Sequence, residues 1–396
     1  MLQLSAAGVL IPRMARAAEP SDRVFLFLHV RGGWDPAFVF TPLSGNGAYE
    51  EPGASTTSAG GLVYVDSPWR PAVGDFFARY ASELCLVHGL EVPSVAHERS
   101  TQLLWTGETG SAADWPTRIA GDGLAMPHLV LEGPVFPGDT PERVVRVGDD
   151  NQLPKLLDQD LEPYEQGLRP LSEDAQALID SHVRARADAG HAADARDTHA
   201  AQYAASLEGL DLLTAQAGAL NFRSAGAGCT RDYRNDIEVA FDAFEAGVSR
   251  CVMLQHRGWC NQGWDTHQNL GMQSDNFEDL FFNLLEIQDA LARRPDLKER
   301  LVLVVASEMG RHPKLNAWGG KDHWTWTTTM LMGSGIRGGH SVGGLDAYGR
   351  GQRVDLGTGD VSDAGVALTP GHLGATVLTL AGLDPGAQDP MFSALT

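Results

Sequence analysis

The run Gly263-Trp264-Asp265-Thr266-His267 places a carboxylate and an imidazole two residues apart, shortly after the apolar segment Arg250 to Gln255. In extended chain, residues two apart point the same way, so both side chains can reach one cation. Two later runs share this character. Ser307-Glu308-Met309-Gly310-Arg311 follows the apolar stretch Leu301 to Ala306, and Lys321-Asp322-His323-Trp324 comes soon after. A carboxylate ending so apolar a strand is costly unless it is paired, hydrogen-bonded or metal-bound. Arg311 is its simplest structural partner. Imidazole is the commonest metal ligand, and Asp322 beside His323 can fix its tautomer. Together these runs point to a divalent cation, zinc first, with calcium, magnesium or manganese as alternatives.

Two earlier motifs can join them. In Arg31-Gly32-Gly33-Trp34-Asp35, the glycines permit a sharp turn and close approach to a ligand, and Asp35 then projects from a strand end. In Ala96-His97-Glu98-Arg99-Ser100-Thr101, ahead of Trp105-Thr106-Gly107, the chain opens a helix whose free N–H groups suit an anion or an activated nucleophile. His97, Ser100 and Thr101 are all usable there, although helix capping explains Ser and Thr equally well. His29, His88, His256, His312, His340 and His372 read mostly as hydrogen-bonded structural residues, with His256 and His340 placed where either can contact a ligand. Trp34, Trp105, Trp264, Trp324 and Trp326 lie near the motifs, where packing is the commoner use of Trp.

These groups need a scaffold. Short apolar runs recur at Val24 to Val30, Leu84 to Val87, Leu129 to Leu131, Val144 to Val147, Cys251 to Leu254, Leu301 to Ala306 and Thr328 to Met332. They do not alternate, which suits strands buried on both faces, as in a parallel sheet. Helical spacing lies between them at Val73 to Ala81, Asp236 to Val248, Asn276 to Ala292 and His372 to Ala381. The expected fold is therefore α/β, a mostly parallel central sheet sandwiched by helices. Ligands gather beyond the C-terminal strand ends of such sheets, and Asp35, Asp265 and Glu308 follow strands at those ends. The stretch from about 153 to 222, rich in Ala, Asp, Glu and Arg, reads as a helical insertion, with Ser172-Glu173-Asp174 as a helix start.

Net charge is −21 over 396 residues. Such a field repels a polyanion, so nucleic acid is excluded as a partner. Leu2 to Ile11 followed by Ala15-Arg16-Ala17 resembles the end of an export signal, residues 1–20, preceding a single α/β domain over 21–396. The stretch is too short to span a bilayer, so the expectation is a periplasmic or otherwise exported protein without stable membrane insertion. Cys85 sits in an apolar run as a small buried hydrophobe. Cys229, Cys251 and Cys260 are close enough for one disulfide, without spacing that selects the pair.

The order of these motifs resembles the alkaline phosphatase–sulfatase superfamily and, more closely, an exported bacterial family catalogued as domain of unknown function 1501. The resemblance spans nearly the whole chain and implies an alkaline phosphatase-like sheet with metal ligands at its strand ends. On that resemblance, Asp35 is the first-strand aspartate ligand, Asp265 and His267 the aspartate–histidine pair, Glu308 a later acidic ligand and His323 the last histidine ligand. The nucleophile position falls on His97, where the superfamily carries a hydroxyl or thiol, with Ser100 as a backup. Met309 stands where the phosphatases have a second histidine. The implied function is a metal-dependent hydrolase of phosphate or sulfate esters. A small anionic ester would be its substrate, and Arg311 or Arg99 would steady the anion. The alternative is a non-catalytic exported protein that keeps the fold and binds metal or ligand.

Overall fold

The computed structural model describes residues 19–147, 172–193 and 233–396, with a few positions between 203 and 212. Eight strands form one sheet in the order β12-β4-β11-β8-β1-β7-β5-β6. They are β1 (Val24–Val30), β4 (Leu84–Glu91), β5 (His128–Val130), β6 (Val144–Arg146), β7 (Cys251–His256), β8 (Leu301–Ser307), β11 (Trp326–Gly333) and β12 (His340–Val342). Strand β1 runs parallel to both of its neighbours, β7 and β8. Only β11 runs against its neighbours, β4 and β8. The sheet is therefore mostly parallel, and the apolar run Thr328 to Met332 is its antiparallel member.

Every residue of β1, β7 and β8 is buried, which is why these segments read as continuous apolar runs. Alternate residues feed two cores. Leu26, Leu28, Val252, Leu254, Leu303 and Val305 face one side and pack with the helices Pro71–Tyr80, Tyr233–Glu245 and Gly271–Ala292. Phe25, Phe27, Cys251, Met253, Val302 and Val304 face the other and pack with His97–Thr106, Trp115–Ala120 and Pro370–Leu380. This is the helix–sheet–helix sandwich that the alternating pattern implies.

Two small pairs escape the apolar pattern: the hairpin β2 (Ser55–Ala59) with β3 (Leu62–Asp66), and β9 (Gly310–Arg311) with β10 (His323–Trp324). The first strand of the hairpin is Ser- and Thr-rich and half exposed, so it offers little hydrophobic signal. From the expected insertion, a helix spans Glu173–Ala193, and the Ser172 hydroxyl accepts the Ala175 N–H as a start signal. Apart from Ser172 and a few positions between 203 and 212, the rest of 153–222 lies outside the described residues, as do residues 1–18 and Cys229. Cys85 and Cys251 are free and buried, whereas Cys260 is disulfide-bonded. Among the described residues no helix is long and apolar enough to cross a membrane.

Two histidines tie this fold's stability to pH. Burial drives His88 down to about 4 and His128 down to about 3, while the unfolded chain titrates near 6.5. Their stabilisation is complete above about pH 6.5 and is lost as pH falls towards those values, by about 1.4 kcal/mol per pH unit for each group. Burial raises Asp114 to about 6, which acts in the opposite sense: it favours the fold below about pH 4 and loses that contribution as pH rises to 6. The histidines outnumber it. Unfolding free energy from urea titration should therefore fall steadily from pH 6.5 to 4.5, and His128→Gln should flatten the slope by about one proton. An unchanged slope would show that His128 does not carry the effect.

Candidate metal centre

The parallel strands β7, β1 and β8 lie side by side, so their C-terminal ends bring three loops together. Asp265 comes from the loop after β7, Gly32 and Asp35 from the loop after β1, and Glu308 from the residue after β8. Gly32 has φ +121°, and a Cβ built there would lie 2.9 Å from the Asp265 backbone nitrogen. The two loops are thus in backbone contact, which requires glycine.

Three imidazoles surround Asp265. His323 Nε2 lies 3.1 Å and His267 Nε2 3.2 Å from Asp265 Oδ1, and His97 Nε2 lies 3.4 Å from Oδ2. His267 and His323 turn their Nε2 atoms on each other at 2.9 Å. In each ring the other nitrogen is held by an oxygen: His97 Nδ1 by Glu308 at 2.8 Å, His267 Nδ1 by Asp322 at 3.3 Å, and His323 Nδ1 by the Val95 carbonyl at 2.6 Å. An acceptor on Nδ1 fixes the proton there and leaves the Nε2 lone pair for a ligand. His97 Nε2 is buried without a hydrogen-bond partner.

This donor set fits a small divalent cation. One donor atom each from His97, Asp265 and His323 all lie within 4.8 Å of one another. Zinc bonds of about 2.0–2.1 Å put tetrahedral ligands roughly 3.3 Å apart, and the separations above scatter around that value.

The electrostatics agree. Burial alone would raise Asp265, but His323, His97 and Arg311 together outweigh it and hold the carboxyl far below its usual range. Burial likewise opposes ionisation of Glu308, and His97 with His29 overcomes it, so its pKa is lowered. The carboxylates of Asp265 and then Glu308 push His97 up to about 9 against burial. A proton and a cation therefore compete for His97 Nε2.

Glu308 stands behind the cluster. It is fully buried, accepts the Gly32 N–H at 2.8 Å and orients His97. His29 Nε2 lies 3.8 Å from its other oxygen, and Trp105 donates to His29 Nδ1. Asp35, read from sequence as a ligand, is engaged elsewhere: its carboxylate caps the helix Pro36–Val39 and pairs with Lys321 Nζ at 2.5 Å. Arg311, expected to steady an anion, is buried, and its guanidinium donates to the carbonyls of Gly32, Gly33, Trp264 and Lys321 and to Asp265. Its planar fork knits the three loops together and is closed to a substrate. Ser100 is fully buried with its hydroxyl unpartnered, so it cannot attack a solvent-borne ester. The helix does open at His97, but Ala96 is its cap residue, and capping does not explain Ser100.

His97 is the residue whose part the sequence conceals. It reaches the cluster from the start of the helix that follows β4, and its only local signal is its place at a helix start. His256 is fully buried between Asp279 and Trp264 and does not reach the cluster. Trp34, Trp105 and Trp264 pack in the core.

A cleft of about 280 Å³ opens beside the cluster, lined by Arg31, His97, Glu98, Arg257, Asn261, Gln262 and Asp265, with Gly32, Gly263 and Trp264. Asn261 in its wall and the neighbouring Cys260 have positive φ, 57° and 56°, a backbone conformation that is uncommon for residues other than glycine. A larger cleft, about 500 Å³, lies at the opposite strand ends, around Leu291, Leu301 and Met332. It holds the exposed Glu83–Lys298 pair and no ligand cluster.

The family model described as "Protein of unknown function (DUF1501)" matches residues 139–387. The chain belongs to this family. No curated protein matches it. Among solved structures, Ps i-CgsB is similar at 10% identity and TM-score 0.40, over 93% of this chain and 75% of that one. PsFucS1 sulfatase from Pseudoalteromonas sp. is similar at 11% identity and TM-score 0.37, over 94% and 72%. BT4656, solved with its substrate D-glucosamine-2-N,6-O-disulfate, is similar at 9% identity and TM-score 0.34, over 94% and 79%.

Proposed function

We propose that this DUF1501 protein is an exported, metal-dependent hydrolase of phosphate or sulfate esters. The observation that carries this is the convergence of three tautomer-fixed imidazoles on Asp265 at the edge of an open, arginine-lined cleft. His97, Asp265, His267 and His323 would hold the cation. Bound there, it would polarise an ester oxygen and acidify a water. A purely structural site would be closed to solvent. Here the Asp265 side chain is 45% exposed and that of His267 35%, which favours a working centre.

The chain's own residues account for the rest. Arg31 is exposed beside the cleft. Arg257 pairs through Nε with buried Glu132, which fixes its fork towards the opening. Guanidinium matches the oxygens of a phosphate or sulfate group, so these two arginines take the role sought for Arg311. Asn261 and Gln262 present amides to an alcohol portion. No residue lining the cleft carries a hydroxyl or thiol, and both nitrogens of His97 face carboxylates. Water is therefore the nucleophile, and a phospho-histidine on His97 is disfavoured. The disulfide at Cys260 supports an oxidising, exported setting.

The test is turnover of paired aryl phosphate and sulfate esters before and after chelation. Activity should vanish on metal removal and return with zinc or manganese. Arg257→Ala should raise KM about tenfold, roughly 1.4 kcal/mol, with kcat nearly unchanged. Bound metal without turnover of either ester under any cation would leave the non-catalytic reading, which the missing side-chain nucleophile already favours.

A further inference from the structure

We infer that the centre holds one cation, and that the Lys321 ammonium is a built-in positive charge in place of a second. This rests on the metal reading above and goes beyond it. The superfamily resemblance implies two further acidic ligands, Asp35 and Glu308, and the residues present do not fit that role.

Asp35 is 1% exposed and Lys321 fully buried, with Nζ 2.5 Å from Oδ2. The ammonium also lies 5.6 Å from the Phe38 ring centre and 5.8 Å from that of Tyr49, an aromatic cage for a monovalent cation. Asp35 Oδ1 accepts the Ala37 N–H, and the Asp35 N–H is taken by Gln273 Oε1. Gln273 in turn donates to Gly33, Trp264 and Thr266. Asp35 is thereby locked into the loops as a neutralised structural carboxylate. A buried charge needs such a partner, and a second positive ion beside the ammonium would be repelled.

Glu308 is closed in the same way. Its oxygens face the Gly32 N–H, His97 Nδ1, the Ser307 hydroxyl at 3.4 Å and His29. The chain contains only four lysines, and one of them occupies this position. A compact ammonium fits a cage of two rings and one carboxylate, where a guanidinium fork would not.

The experiment is metal counting by mass spectrometry on protein equilibrated with excess zinc, and separately with manganese, together with calorimetric titration. Wild type should hold one cation per chain. Two per chain would overturn the inference while leaving the proposed function intact, and none would overturn both. The double variant Asp35→Asn/Lys321→Met removes the pair without stranding a charge. It should keep one cation with affinity within about threefold of wild type. A tenfold or greater loss of affinity in the folded variant would make Asp35 a ligand. If that variant does not fold, the wild-type count alone decides.

Discussion

Asp265→Ala strips the centre of its cation. Affinity for zinc should fall at least about 100-fold, roughly 2.7 kcal/mol, and ester turnover should fall with it. The reason is geometric: Asp265 is the one group that all three imidazole Nε2 atoms approach within 3.4 Å. Without it, the Nε2 atoms of the three rings no longer share a carboxylate, and the remaining acids, Glu308 and Asp322, face the Nδ1 side of His97 and His267. The fold should survive, because the Arg311 guanidinium keeps its carbonyl partners. Metal content by mass spectrometry and a thermal melt by circular dichroism separate the two effects. Full zinc occupancy in a folded Asp265→Ala protein would reject the ligand assignment.

Arg311→Met is the opposite case, expected to damage the fold first and the centre as a consequence. It leaves four buried carbonyls, those of Gly32, Gly33, Trp264 and Lys321, without their shared donor. Each unsatisfied group costs about 1–3 kcal/mol, and partial relaxation leaves a net loss of about 4 kcal/mol. Arg311→Lys should recover little, since one ammonium cannot span acceptors on three loops. Urea unfolding measures the loss. A decrease under about 1 kcal/mol would mean that the loops hold together by other contacts.

The sheet was legible because β1, β7 and β8 are buried on both faces, and full burial writes itself into sequence as unbroken apolar runs. The hairpin Ser55–Ala59 with Leu62–Asp66 was not, since its half-exposed Ser and Thr residues carry no such mark. Within the site, Asp265 and His267 announce themselves through local spacing. The carboxylates of Asp35 and Glu308 announce their presence but not their partners. What neutralises them, Lys321 and His97, comes from segments more than 200 residues away. Distance in sequence also hides the work of Arg311, which reads as a partner for Glu308 or a group to steady an anion and proves to be a buried strut bonded to loop carbonyls and Asp265.

The backbone contact between Gly32 and Asp265 has one more implication. Because the ligand loop leans on the end of a core strand, its position is fixed during folding and not by the ion. A cage assembled in advance pays little entropy on binding, but it also cannot swell. Calcium needs six to eight oxygens at 2.3–2.6 Å, whereas zinc accepts nitrogen-rich sets at about 2.0–2.1 Å. A glycine with no side chain of its own thus becomes a sieve for ionic radius, favouring small, imidazole-loving ions over large oxygen-loving ones.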